Sequence, residues 1–215
     1  MGTFSATASS SSTIGYAQYG SSSWSTGSSS GACQGTTAAK SRVGVMVFNG
    51  AGAALKGKLI QSITLTITSS GAGSGSSSKK LTFCQANYQS LNTSIRGSAQ
   101  VGATLGVLTG KFYSNTVTHT LDASSNATLF AAMKVYFEAG NSVLVLYNGE
   151  TSSSSGYYSN YARVTSCTIS VSYIDAVIWY RDGGTWRQCT VWYWLNGVWI
   201  QVVPYYNSGG AWVRV

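Results

Sequence analysis

Charge is scarce in this chain. Only 8% of its 215 residues are Asp, Glu, Lys or Arg, against roughly 25% in an ordinary soluble domain. Its surface polarity has to come from Ser, Thr, Asn and Gly. Proline is almost missing, with Pro204 alone, so the 25 glycines carry most of the turn chemistry. No apolar run approaches the ~20 residues of a membrane-spanning helix. The four cysteines, Cys33, Cys84, Cys167 and Cys189, form no Cys-x-x-Cys pair, which argues against a structural zinc site and leaves room for one disulfide. Cys167 alternates with Ile169, Val171 and Tyr173, so it reads as a small core residue of a strand. The start, Met1-Gly2-Thr3-Phe4-Ser5-Ala6, has neither the charged nor the apolar region of a signal peptide. Ala6 also stands where myristoylation needs Ser or Thr. The expectation is a protein made without a secretion signal, as virion proteins are in a host cytoplasm.

Catalytic constellations are missing too. The acids are Asp122, Glu138, Glu150, Asp175 and Asp182, and no two have an evident pairing, whereas a glycosidase needs two carboxylates flanking one bond. The single histidine, His119, alternates with Val117 and Leu121 and reads as a structural strand residue. No Gly-x-Ser-x-Gly elbow lies between a strand and a helix. The Gly/Ser run 71–78 lacks the Lys and helix of a phosphate loop. The sequons at Asn92 and Asn126 matter only in a secretory pathway. The chain therefore reads as a non-enzyme. No cofactor is expected; calcium in the sandwich loops belongs to the carbohydrate-binding alternative below. The net charge is +8, but the closest basic pairs are Lys79-Lys80 and Lys56/Lys58, and no stripe forms. The charge reads as solubility rather than a specific nucleic-acid partner.

What the chain has is β pattern. Aromatics reach 13%, which disordered chains lack. A first strand is expected at Thr3–Ala8, then a long ordered loop to about residue 38. Val43, Val45 and Val47 alternate with Gly44, Met46 and Phe48, predicting a strand buried on both faces. Over Leu59–Thr68, Ile63, Leu65 and Ile67 face in and Thr64, Thr66 and Thr68 face out. Ser69–Ser78 reads as a hairpin or exposed loop, and Lys80–Gln85 as the returning strand with Leu81 and Phe83 on one face. Further strands are expected at Thr116–Leu121, Val143–Asn148 and Arg163–Tyr173. One helix is predicted at about Asn126–Ala139, with Leu129, Phe130, Met133 and Phe137 in an apolar stripe, Ser124 or Ser125 as cap and Gly140 as C-cap. Many strands and one short helix predict an all-β fold, a jelly-roll β-sandwich over 1–173.

The remainder, 174–215, is a repeat. Trp186, Trp199 and Trp212 are 13 residues apart, as are Gly184, Gly197 and Gly210, and Tyr180, Tyr193 and Tyr206. Trp179, Trp192 and Tyr205 complete a fourth column. The units are 178–190, 191–203 and 204–215. Gly183-Gly184, Asn196-Gly197 and Gly209-Gly210 suit two-residue type I′ hairpins. That turn sets Arg181 opposite Trp186, Trp194 opposite Trp199 and Asn207 opposite Trp212. Arg181 is a cation–π candidate. A meander this small cannot bury both faces alone. The favoured reading is that its rings pack on the parent domain or across an oligomer axis; the alternative is a set of sugar-stacking platforms.

The segments Ser41–Phe48, Leu59–Ile67 and Gly140–Tyr147 resemble the jelly-roll domains of bacteriophage and bacterial surface proteins. Gly183-Gly184-Thr185-Trp186-Arg187-Gln188 resembles short tails on phage tail, fibre and minor structural proteins. The resemblance implies a virion appendage component, often trimeric, that binds itself, other virion proteins or host-surface glycan. The rival class is a carbohydrate-binding module of a bacterial surface or secreted protein.

Overall fold

The two longest strands set the frame. The computed structural model describes residues 1–9, 13–19, 25–26, 31–37, 40–70, 79–90, 97–149, 161–175, 178–182, 184–189, 192–195, 198–201, 205–208 and 211–214. Strand β6 (Lys58–Ser70) pairs antiparallel with β11 (Ala162–Asp175) along nearly its whole length. β1 (Gly2–Ala8) adds to the free side of β11, and β9 (Thr116–Leu121) to the free side of β6. Their period-2 pattern explains the pairing. Phe4, Ala6, Ile63, Leu65, Ile67, Cys167, Ile169 and Val171 all pack in one core. Thr3, Ser5, Thr64, Thr66, Ser170, Thr116 and Thr118 fall on the opposite, uncharged face of the same sheet. A fully buried Leu or Ile is worth about 1.5–3 kcal/mol, so a register slip of one residue would cost the whole inward set.

The second sheet is built on β5 (Lys40–Val47). It pairs with β2 (Thr13–Tyr19) on one side and with β10 (Val143–Leu146) and β4 (Ala32–Thr37) on the other. β3 (Ser25–Thr26) extends β2, while β7 (Lys79–Ala86) and β8 (Val101–Gly110) follow β10. β4 also pairs with β11, so it belongs to both sheets and turns the corner of the sandwich. All these pairings are antiparallel. β5 is buried on both faces, as its pattern predicts: Met46 lies in the main core, and Val43, Val45 and Val47 join Val143, Val145, Cys84 and Ala86 in a second cluster. Beyond Asp175 follow three separate two-stranded sheets.

The molecule is all-β as expected, but its first eleven strands form one continuous 11-stranded antiparallel sheet, the two halves joined through β4, and there are several local differences. The segment expected to be a loop to residue 38 supplies β2, β3 and β4. Its Gly and Ser content hides strands that pair both with near neighbours (β2 with β3, β4 with β5) and with distant ones (β2 with β5, β4 with β11). β8 carries three glycines and little alternation, and the sequence pattern does not predict it. β7 does not return along β6; it pairs with β8 and β10, so the chain crosses from one sheet to the other between β6 and β7. Residues 69 and 70 continue β6, and 71–78 lie outside the described residues. β10 ends at Leu146, and β11 runs to Asp175. A second, five-residue helix, α1 (Ala51–Leu55), buries Ala51 and Leu55.

The predicted helix is α2 (Ala127–Glu138), and its stripe of Leu129, Phe130, Met133 and Phe137 is buried, with Tyr136 added. Its cap differs from expectation. Ser124 and Ser125 donate instead to Asp122 Oδ1 (Ser124 N 2.8 Å, Oγ 2.7 Å; Ser125 N 2.7 Å). An anionic acceptor two residues upstream closes an Asx turn, which outcompetes capping. Asn126 takes the cap position in a left-handed conformation (φ 55°) without a side-chain cap bond. Gly140, at φ 93°, ends the helix, its N–H donating to Phe137 O at 2.9 Å.

α2 is fastened to the sheet by an ion pair and a tyrosine. Glu138 Oε1 accepts the Ile60 N–H at 2.8 Å, and Lys134, which pairs with Glu138, donates to Ile60 O at 3.0 Å. Ile60 sits beside the bulge in the β6–β11 register, where backbone groups are released from the ladder. Tyr136 Oη donates to Val143 O at 2.6 Å and accepts from Ala86 N and from Gln89 Nε2.

His119 sits on the inward side of β9, its ring 6.0 Å from Phe112, and its Nε2 is buried without a hydrogen-bond partner. Burial holds its pKa below the ordinary 6.5. The folded state therefore disfavours the imidazolium, which the unfolded chain forms freely below that value. Its contribution is complete above about pH 6.5 and is lost as pH falls below it. The melting temperature is expected to fall between about pH 7 and pH 5, with a shallower fall in His119→Leu. Scanning calorimetry across that window checks this; equal slopes would contradict it.

Candidate functional site

The three C-terminal hairpins share one register. In the first, β12 (Ile178–Asp182) pairs with β13 (Thr185–Cys189); in the second, β14 (Trp192–Leu195) with β15 (Val198–Gln201); in the third, β16 (Tyr205–Ser208) with β17 (Ala211–Arg214). The innermost pairs are Asp182 with Thr185, Leu195 with Val198 and Ser208 with Ala211. Each hairpin therefore closes over two residues. Gly184 has φ 87°, a left-handed value suited to such a loop; the other five loop positions lie outside the described residues. The cross-strand pairs Arg181–Trp186, Trp194–Trp199 and Asn207–Trp212 are those the turn length predicts.

The register also sorts the predicted site residues, which the repeat alone did not do. Cross-strand partners share a face, and so do residues two apart. One face of each hairpin collects Trp179, Trp192 or Tyr205 opposite Gln188, Gln201 or Arg214. The same face carries Trp186, Trp199 or Trp212 opposite Arg181, Trp194 or Asn207. The other face carries Tyr180, Tyr193 or Tyr206 opposite Arg187, Ile200 or Val213, together with Leu195–Val198, Ser208–Ala211 and Asp182–Thr185. The tyrosine column is therefore separated from the tryptophan columns. The Trp face holds no aliphatic residue in any unit. The signal was available in the sequence: the alternation within each unit assigns the faces once the turn is fixed.

The sandwich offers other chemistry-bearing groups, each engaged structurally. Asp122 is held well below the usual carboxylate range by the hydrogen bonds from Ser124 and Ser125. Asp175 pairs with Lys58, and Glu138 with Lys134; Glu150 lies outside the described residues. Among the described residues no group of three His, Cys, Asp or Glu could hold a metal ion. Cys33, Cys84 and Cys167 are free, buried thiols, and Cys189 stands opposite Ile178 in the first hairpin. Burial pushes Cys167 up to about 12, which removes it as a nucleophile. Cys33 Sγ lies 3.7 Å from Tyr161 Oη, to which Arg163 Nε donates at 3.2 Å.

The outward face of the β1–β11–β6–β9 sheet is a second candidate surface, one that the sequence reading found only in β6. Ser and Thr line up across four strands, with Thr7–Thr168 at 2.8 Å, Thr66–Thr118 at 3.2 Å and Thr68–Thr116 at 3.0 Å between hydroxyls. Hydroxyls bonded to each other across these strands supply surface polarity where charge is scarce, and nothing in this array selects a ligand. No helix among the described residues is long and apolar enough to cross a membrane. No protein-family model matches the chain, and no curated protein matches it.

Proposed function

We propose that this chain is a non-enzymatic bacteriophage virion protein, a tail, fibre or head-decoration component. In this reading the sandwich is its body, and the hairpin array serves assembly and attachment to the host surface. The observation that carries the reading is the repeated two-faced register of the hairpins. A small meander has to cover one of its faces before it can present the other. Here the Tyr and aliphatic columns fall on one face and suit packing against a body or a second copy. The Trp columns with Gln, Asn and Arg fall on the other and suit a glycan. The resemblance of the sandwich strands and of the tail segment to phage structural proteins supports the virion setting.

The runner-up, a carbohydrate-binding module of a bacterial surface or secreted protein, is favoured by the same Trp face and differs in needing no self-assembly. Native mass spectrometry of the full chain separates the two. The virion reading expects a homo-oligomer, most simply a trimer, that is retained on isolated bacterial cell walls. A monomer at micromolar concentration that still binds walls would favour the module. A chain that neither oligomerises nor binds walls would sink both.

A further inference from the structure

The edges of the 11-stranded sheet are not equally guarded. β8 closes one end, with irregularities in its register with β7 between Phe83 and Cys84 and between Cys84 and Ala86. Bulges of this kind turn an edge away from a second chain. β9 closes the other end, where α2 packs alongside and Asn126 Nδ2 donates to Thr120 O at 3.4 Å. β1 has no such guard. It reads Gly-Thr-Phe-Ser-Ala-Thr-Ala over Gly2–Ala8, with no charge, no proline and no register shift against β11. Among the described residues β11 is its only strand partner. An uncharged, unbroken edge is a template for another strand. The cover of the core also stops there. Phe4 and Ala6 are only partly buried, while Val171 and Ile169, opposite them, are 0% exposed.

We infer that β1 is an assembly edge, pairing antiparallel with β1 of a second copy across a two-fold axis at Ser5. The strand is self-complementary in that register. Ser5 meets its own copy, Thr3 meets Thr7, Phe4 meets Ala6 and Gly2 meets Ala8, so all 7 residues of the strand are paired. A shift of one residue would set hydroxyls against apolar side chains, and a shift of two would leave residues unpaired. The same matching already holds on the other side of β1. There Thr3, Ser5 and Thr7 stand opposite Ser172, Ser170 and Thr168, with the Thr7 and Thr168 hydroxyls 2.8 Å apart. Main-chain hydrogen bonds hold such an added strand, and a two-fold makes the contact isologous and closed. The contact belongs to the sandwich and goes beyond the hairpin assembly proposed above. It joins copies in pairs, so an oligomer built by the hairpins would appear doubled.

The test is disulfide trapping in the full chain, on a Cys189→Ser background that leaves the buried thiols Cys33, Cys84 and Cys167. Residues directly opposite each other have Cβ atoms about 4.5–5.5 Å apart and diagonal ones about 7–8 Å, so only the former come within reach of a disulfide. Thr3, Ser5 and Thr7 are exposed, so the fold tolerates cysteine at each. Under mild oxidation Ser5→Cys is expected to give a disulfide-linked dimer. Thr3→Cys and Thr7→Cys are each expected to stay uncrosslinked alone and to crosslink when mixed. Ser5→Lys sets two cations against each other and is expected to halve the mass seen by native mass spectrometry. Equal yields at the three positions would show collision without register, and no crosslink in Ser5→Cys would show an unpaired edge. Either result overturns the inference, as does an unchanged mass in Ser5→Lys. A trimer in the native spectrum alongside any of these leaves the hairpin assembly standing.

Discussion

Gly44→Ala is expected to destabilise the sandwich by about 3 kcal/mol or more, at the upper end of what overpacking costs. A Cβ built on Gly44 would lie 2.4 Å from Cys33 N and 2.7 Å from Ala32 C. Both are backbone atoms at the start of β4, so no side-chain rotation relieves the clash. β4 has to approach this closely because it leaves the β5 sheet here to join β11, and Gly44 is the position that lets it turn the corner. Its neighbours in the ladders, Gly15 on β2 and Leu146 on β10, hold β5 in place from both sides. For a domain of this size, such a loss lowers the melting temperature by roughly 6–12 °C. Thermal unfolding followed by circular dichroism checks it. Gly57→Ala is the comparison: φ is 71° and nothing lies within 4 Å of its Cβ, so it carries only the backbone strain, about 1–2 kcal/mol. Equal effects of the two would show that the corner is not tight.

This corner also marks how far the sequence could be read. β1, β6, β9, β11 and α2 follow from alternation or a 3.6-residue stripe, because each has one wet face and one dry face. β5 follows from a run apolar on both faces. β2 and β4 do not follow, since their Gly, Ser and Thr show no alternation that separates them from loop, and Gly44 gives no hint alone that another backbone crosses it. The β6-to-β7 crossover is invisible for a related reason: alternation states that a strand exists, not which sheet it joins. The cap of α2 departs from its sequence pattern because Ser124 and Ser125 have a stronger local partner in Asp122 than the helix terminus.

The repeat was legible to the level of residue pairs, because a two-residue turn fixes the register of a hairpin. Left open was what the aromatic columns are for. Treating Trp and Tyr as one set suggested that the rings are consumed in covering the meander. The register places the Tyr and Trp columns on opposite faces of each hairpin, so their roles can be tested separately.

Replacing Trp186, Trp199 and Trp212 together by Ala is accordingly expected to reduce binding to a surface polysaccharide by about 100-fold or more. Three linked sites contribute multiplicatively, with avidity gains of roughly 10²–10⁴ over a single site. Replacing Tyr180, Tyr193 and Tyr206 by Ala removes as many rings from the other face. It is expected to weaken the packing of the array or the oligomer while sparing the ligand. Circular dichroism of both variants checks that the sandwich still folds.

The most direct measurement is a bacterial polysaccharide array probed with the wild-type chain and these two triple variants at matched oligomer concentration. The account expects a defined polysaccharide bound by the wild type, kept by the Tyr variant and lost by the Trp variant. Equal loss in both variants, or wild-type binding that survives without the three tryptophans, would contradict it.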